Sequence, residues 1–159
     1  MIKNYLWIFL ISMVPLIELR GAIPVSQALQ MPILPSYIVS IIGNMLPVPV
    51  IYFFARKVLE WGADKKFIGK IFTAILVKGT NAGQKIQEKA GKGFFIALFL
   101  FVGIPLPGTG AWTGTLAASL LGLSFKETVI AVILGVLLAG LIMMAGSLGL
   151  FTALFAISG

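Results

Sequence analysis

Apolar residues in this chain come in blocks, and the length of each block against the thickness of a bilayer decides what it can be. The first block, Tyr5 to Leu19, is about fifteen residues long, whereas a straight spanning helix needs about 20. It contains Pro15 and Glu18, with Arg20 just beyond. A second short arm follows Gly21 and reaches Met31, so residues 4–31 read as a re-entrant hairpin bent around the polar Gly/Pro-containing stretch after Leu19. Ser36 to Ala55 has no charge and is long enough to cross, with Gly43, Asn44, Pro47 and Pro49 bending its middle. In residues 56–93, Phe67, Ile68, Ile71, Phe72 and Ile75 recur at helical spacing among Lys65, Lys66, Lys70 and Lys78, which predicts an amphipathic interfacial helix within a basic loop.

The second half repeats the plan. Phe94 to Gly103 is too short to cross and runs into the breaker-dense stretch Ile104 to Gly114, and Leu116 to Leu123 closes a second hairpin over 94–123. Residues 128–146 form a span, with a terminal apolar segment over 147–159. The predicted fold class is therefore an all-α integral membrane protein in a single membrane domain, 1–159. Two repeats, 1–55 and 94–159, each place a hairpin before a spanning helix, and Gly21-Ala22 aligns with Gly110-Ala111. If the basic loop 56–93 is cytoplasmic, the two spans run in opposite directions, an inverted repeat of the kind that builds transporter sites at mid-membrane. Four or five ordinary kinked spans are the alternative.

Composition sharpens this picture. The chain is 59% hydrophobic and 11% charged with a mean hydropathy of +1.07, far from the roughly half apolar and quarter charged make-up of soluble domains. Nine of the 12 basic residues fall between Arg56 and Lys92, which accounts for the net charge of +7 by a cytoplasmic loop and needs no nucleic acid. Cysteine and histidine are absent, removing thiol nucleophiles, the usual zinc and haem ligands and the ordinary general base of hydrolases. No phosphate-loop motif occurs. An enzyme and a bound cofactor are not expected.

Candidate chemistry sits in the hairpins. Glu18 and Arg20 are opposite charges between apolar arms, and an Arg at the bilayer centre costs about 3 kcal/mol even on the lenient insertion scale. The expectation is that Arg20 holds an anionic group and Glu18 balances it or takes up a proton; the competing view places both at the water interface. In a continuous helix residues two apart face opposite ways, so the two pair directly only in an unwound tip. The second hairpin carries no charge. Its Pro105, Pro107, Gly108, Thr109 and Gly110, with Trp112, Thr113 and Thr115 beyond, offer backbone N–H groups, hydroxyls and a helix N-terminus to an anion; tight turning and close packing would use the same residues. Asn44 is a further candidate ligand, or interhelical glue. Gly135, Gly140 and Gly146 offer a face for homodimerisation.

Pro15-Leu-Ile-Glu18-Leu-Arg20-Gly-Ala-Ile-Pro24 and Gly103-Ile-Pro-Leu-Pro-Gly-Thr-Gly-Ala-Trp112-Thr-Gly114 resemble the motifs of the small multidrug-export family of prokaryotic membrane proteins. The paired hairpin plan more distantly resembles the DedA or SNARE-associated superfamily, which includes lipid transporters and carriers of undecaprenyl phosphate. The resemblance implies a multi-pass carrier of the prokaryotic cytoplasmic membrane, with Glu18, Arg20 and Pro24 matching the first motif. The resulting expectation is a secondary carrier or lipid translocase for a substrate with an anionic head group, with Glu18 available for proton coupling. A small multidrug exporter and a non-transporting scaffold are the alternatives.

Overall fold

A computed structural model of the chain describes residues 2–74, 76, 77, 81 and 93–158, with side chains described as far as Gly149. Among the described residues the regular structure is helical throughout: α1 Ile2–Met13, α2 Glu18–Ala28, α3 Ile33–Met45, α4 Pro47–Ala63, α5 Gly93–Gly103, α6 Ala111–Leu120 and α7 Phe125–Ser158. Leu46, between α3 and α4, keeps helical angles (φ −61°, ψ −40°), so the two form one 31-residue helix from Ile33 to Ala63. This helix and Phe125–Gly149 are long and apolar enough to cross a membrane, whereas α1 and α5 are apolar and short. Only 28% and 33% of the apolar windows in the two long helices is buried, the reverse of a soluble protein's core helix.

The chain also inverts the usual segregation of polar and apolar groups. Ile38, Ile42, Val50 and Phe54 are at least half exposed, while Ser12, Ser26, Ser36, Ser40, Asn44, Thr115, Ser119 and Thr128 are buried. Apolar side chains gain nothing by leaving lipid, so small and weakly polar residues collect where helices approach closely. The chain is a membrane protein.

Several boundaries differ from those the sequence predicts, each for a local reason. The first bend lies at residues 14–17, not after Leu19: Pro15 disfavours helical geometry at Val14 and has no N–H of its own, so α1 stops at Met13. Gly21 and Pro24 consequently sit inside α2. The second bend is confined to Ile104–Gly110, and Trp112 to Gly114 are already helical. Gly114 is needed there for packing, since a Cβ would fall 2.6 Å from Val102 Cγ2. The first span starts at Ile33 and extends beyond Ala55 to Ala63; the second begins at Phe125, where the Ser124 hydroxyl accepts from the Glu127 N–H and donates to the Glu127 carboxylate. Residues 147–158 simply continue α7.

In the basic stretch, residues 69–74 are helical, and Phe67 (98% exposed) and Ile71 stand out from the surface. Lys65 lies 4.4 Å over the Trp61 ring. Phe72 lies against Gly62, and Ile75 and Lys78 of the amphipathic prediction lie outside the described residues.

The two halves pack reciprocally. α1 packs along α3 and α5 along α7, while each short second helix crosses to the other half: α2 against α7, α6 against α4. Tyr37 donates to the Leu137 carbonyl at 2.9 Å, and Tyr52 donates to the Leu123 carbonyl. The long helices are therefore antiparallel. Gly135 and Gly140 are consumed inside the fold, against Val102 with the Phe99 carbonyl and against the Tyr37 ring; of the glycine face expected for dimerisation, Gly146 remains open.

Candidate functional site

A break between two helices leaves unpaired carbonyls at the end of the first and unpaired N–H groups at the start of the second. At Ile104–Gly110 the N–H groups that open α6 are buried or half-buried while the turn itself, with Ile104, Leu106, Pro107 and Gly108, is exposed, and α2 supplies a charge to each set. Glu18 accepts from the backbone N–H of Ala111 through Oε2 (3.1 Å) and of Trp112 through Oε1 (3.0 Å), so its carboxylate caps the positive end of α6. Arg20 donates from Nη2 to the carbonyls of Val102 (3.1 Å) and Ile104 (3.4 Å) and from Nη1 to those of Leu106 (2.7 Å) and Thr109 (2.7 Å). Its guanidinium thus covers the negative end of α5 and the turn beyond it. The two-residue spacing, which prevents Glu18 and Arg20 from pairing within a helix, is what lets them serve opposite ends of one break.

Local backbone chemistry holds these atoms in place. Leu16 (φ 69°) and Glu18 (φ 52°) adopt left-handed conformations that cost roughly 1–2 kcal/mol each for residues with a Cβ. Leu106-Pro107-Gly108-Thr109 forms a turn closed by Thr109 N–H to the Leu106 carbonyl (3.2 Å), with Pro fixing one central residue and Gly108 supplying φ 80° at the other. Gly110, at φ 143°, has a backbone that only glycine adopts readily, and a Cβ there would collide with both Glu18 oxygens. Trp112 Nε1 donates to the Met13 carbonyl at 3.1 Å, tying α6 to the first bend.

Beside this junction lies an apolar groove of about 820 Å³. One wall is α4 with Pro47, Val50, Ile51, Phe54, Ala55, Val58 and Leu59; the other is Trp112, Thr113, Leu116 and Leu120 of α6; Met13, Pro15, Leu16, Glu18 and Thr109 close one end. Glu18 is 4% exposed and is the acid in this wall. Among the described residues no cationic nitrogen lies within 4.0 Å of its carboxylate, the ion pair there being Arg56–Glu60 at 3.0 Å.

Of the residues the sequence singles out, Glu18, Thr109, Trp112 and Thr113 reach the groove. Arg20 faces the α5–α6 break instead, and both its terminal nitrogens, Nη1 and Nη2, are engaged by carbonyls. The N–H groups of Ala111 and Trp112, expected to stand open to an anion, are engaged by Glu18. Pro105, Pro107, Gly108 and Gly110 shape the turn, and Pro24 is half-buried within α2 away from the groove. Asn44 is buried beside the groove's end without lining it. The α4 wall was missed, although Val50, Phe54 and Val58 recur every four residues in the sequence, the spacing of one helical face.

Fold and site together define a helical membrane protein whose broken helix is stitched by two charges of another helix, next to an apolar groove. Residues 18–142 match the family described as "Putative small multi-drug export protein", and the chain belongs to that family of membrane transporters. No curated protein and no solved structure matches the chain, so the more distant resemblance to DedA proteins gains no support.

Proposed function

We propose that the protein is a secondary carrier that exports amphipathic compounds with an apolar body and a cationic group. The body occupies the groove between α4 and α6, and the cation takes Glu18 from the N-terminus of α6. The observation that carries this reading is Glu18 itself: a buried carboxylate held by two backbone N–H groups and in direct contact with no cationic nitrogen among the described residues, Arg20 being turned to the carbonyls of the break, and set in the wall of an apolar groove large enough for such a ligand. An anionic head group is less well served, because the donors it would need are already used by carbonyls and by Glu18.

Glu18 has three competing partners: the α6 amides, the ligand's cation and a proton. Binding of one displaces another, so exchange of substrate against protons needs no second acid. The short α1–α2 and α5–α6 pairs act as re-entrant hairpins of an inverted repeat in a multi-pass cell-membrane protein, with the basic segment after α4 on the cytoplasmic side. Opening one side or the other then amounts to moving one hairpin tip against the other.

Binding of tetraphenylphosphonium to the purified protein tests this. The unaltered chain is expected to bind it, and Glu18→Gln to weaken binding at least tenfold. Equal affinity of Glu18→Gln and the unaltered chain would remove the assignment. Val50→Trp, which fills the groove and leaves Glu18 untouched, is expected to block binding as well.

A further inference from the structure

Pro47 and Pro49 have no N–H to give to the carbonyls of Gly43 and Met45, so the 31-residue helix is locally opened at its middle. The groove lies entirely on the Leu46 to Leu59 side of this opening. On the other side, Ser36, Ser40 and Asn44 follow one another at intervals of four on the same buried face of α3. Ser36 donates to the Pro32 carbonyl at 2.8 Å, but Ser40 Oγ and both amide atoms of Asn44 are buried with no partner. Thr115 Oγ1 is a fourth such atom.

Contacts around the opening bring these atoms to one level of the molecule. Gly43 abuts Ser12 and Phe9 of α1, the end of α1 receives Trp112 at Met13, and Ser119 of α6 donates to the Tyr52 carbonyl of α4 at 2.7 Å. Trp112 is therefore level with Gly43–Pro47 and Ser119 with Tyr52, which sets Thr115 beside the opening. Thr115 is also one turn beyond Ala111, whose backbone N–H is bound by Glu18. At the far end, Gln27 of α2 donates to Ser26 Oγ (3.2 Å) and to the Met31 carbonyl (3.4 Å), so a polar cluster adjoins the start of α3.

Unpaired buried polar atoms cost about 1–3 kcal/mol each, so this face is retained for something that satisfies them. Asn44 needs an acceptor as well as a donor, and water supplies both, whereas a metal cation satisfies oxygens alone. We propose that the polar face of α3, Ser36, Ser40 and Asn44, together with Thr115 of α6, binds a file of water that gives Glu18 a second access to the aqueous phase, at the end of the protein opposite the groove. The connection to Glu18 rests on the carrier reading above; the water-binding face does not. Charge near this route, among the described residues, is Glu18 and Arg20 on α2 and, level with its Ser36 end, Lys3 on α1, with none on α3 or α6. Substrate reaches the carboxylate along the groove, and protons reach it along the water file.

The absence of cysteine makes the route measurable, because one introduced thiol gives a single S–H infrared band. In vesicles transferred to D2O, the thiol of Ser40→Cys is expected to exchange at least tenfold faster than that of Val136→Cys in the dry core. Equal rates would overturn the proposal, and slowing by sodium but not potassium would overturn it in favour of a cation. In the same vesicles Ser40→Val is expected to slow proton movement driven by tetraphenylphosphonium tenfold while its binding stays within twofold; unchanged proton movement would break the link to Glu18. If tetraphenylphosphonium fails to bind the unaltered chain, the carrier reading falls and the Ser40→Cys exchange still decides the water file.

Discussion

The two bends solve one problem in opposite ways. The first, at residues 14–17, hands its charges outward: Glu18 and Arg20 leave on α2 and reach across the protein. The second, at Ile104–Gly110, has no charge and instead exposes the raw polarity of two helix ends. Each would be expensive alone in lipid, one as unpaired ions and the other as unpaired backbone groups. Together they satisfy each other. The lesson is that charge in a membrane chain need not mark where a ligand's opposite charge will bind; it can mark where a helix has been cut.

That comparison can be broken at the glycines the sequence aligns. Gly110→Ala combines a forbidden backbone angle with a collision against the Glu18 carboxylate, and is expected to cost about 3 kcal/mol or more of stability. Gly21→Ala meets only the movable Ile17 side chain and should cost less than about 1 kcal/mol. Denaturation midpoints of the two variants in the same detergent provide the check; equal losses would show the bends to be equivalent after all.

Arg20→Met leaves carbonyls at the α5 end without donors and is expected to cost about 2–3 kcal/mol, with Arg20→Lys recovering part of it because an ammonium carries three donors but lacks the planar fork. If Arg20 instead serves an external anion, Arg20→Met will lower ligand binding with no loss of thermal stability. Trp112→Phe removes the hydrogen bond to the Met13 carbonyl and leaves a smaller aromatic ring, and should cost about 1 kcal/mol or somewhat more by the same measurement.

Much of the fold was legible in the sequence. Block lengths separated the two long helices from the short ones, because a bilayer of fixed thickness makes length a physical criterion. Bend positions were less legible: Gly21 and Pro24 look like a turn, yet tertiary packing keeps them helical, while Pro15 alone stops α1. For the site, the sequence marks residues that the structure brings together, but it does not show what each of them touches. Glu18, Arg20 and the Gly110 tip were all marked, but their charges suggested an anion from outside when the complementary groups lay within the chain.

The sequence by itself determined that this is a membrane protein, that its apolar mass is divided into long and short helices, and that Glu18 and Arg20 are the charges set between the first apolar arms. Those properties depend on composition and on distance along the chain, which need no folding to read. Only the tertiary structure decided that the two charges close the α5–α6 break, that the groove runs along α4, and that Asn44 and Ser40 face inward without partners. Each of these depends on which backbone group lies opposite a side chain some eighty or ninety residues away, as from Arg20 to Leu106 and from Glu18 to Ala111. Sequence spacing carries no record of that distance until the helices pack.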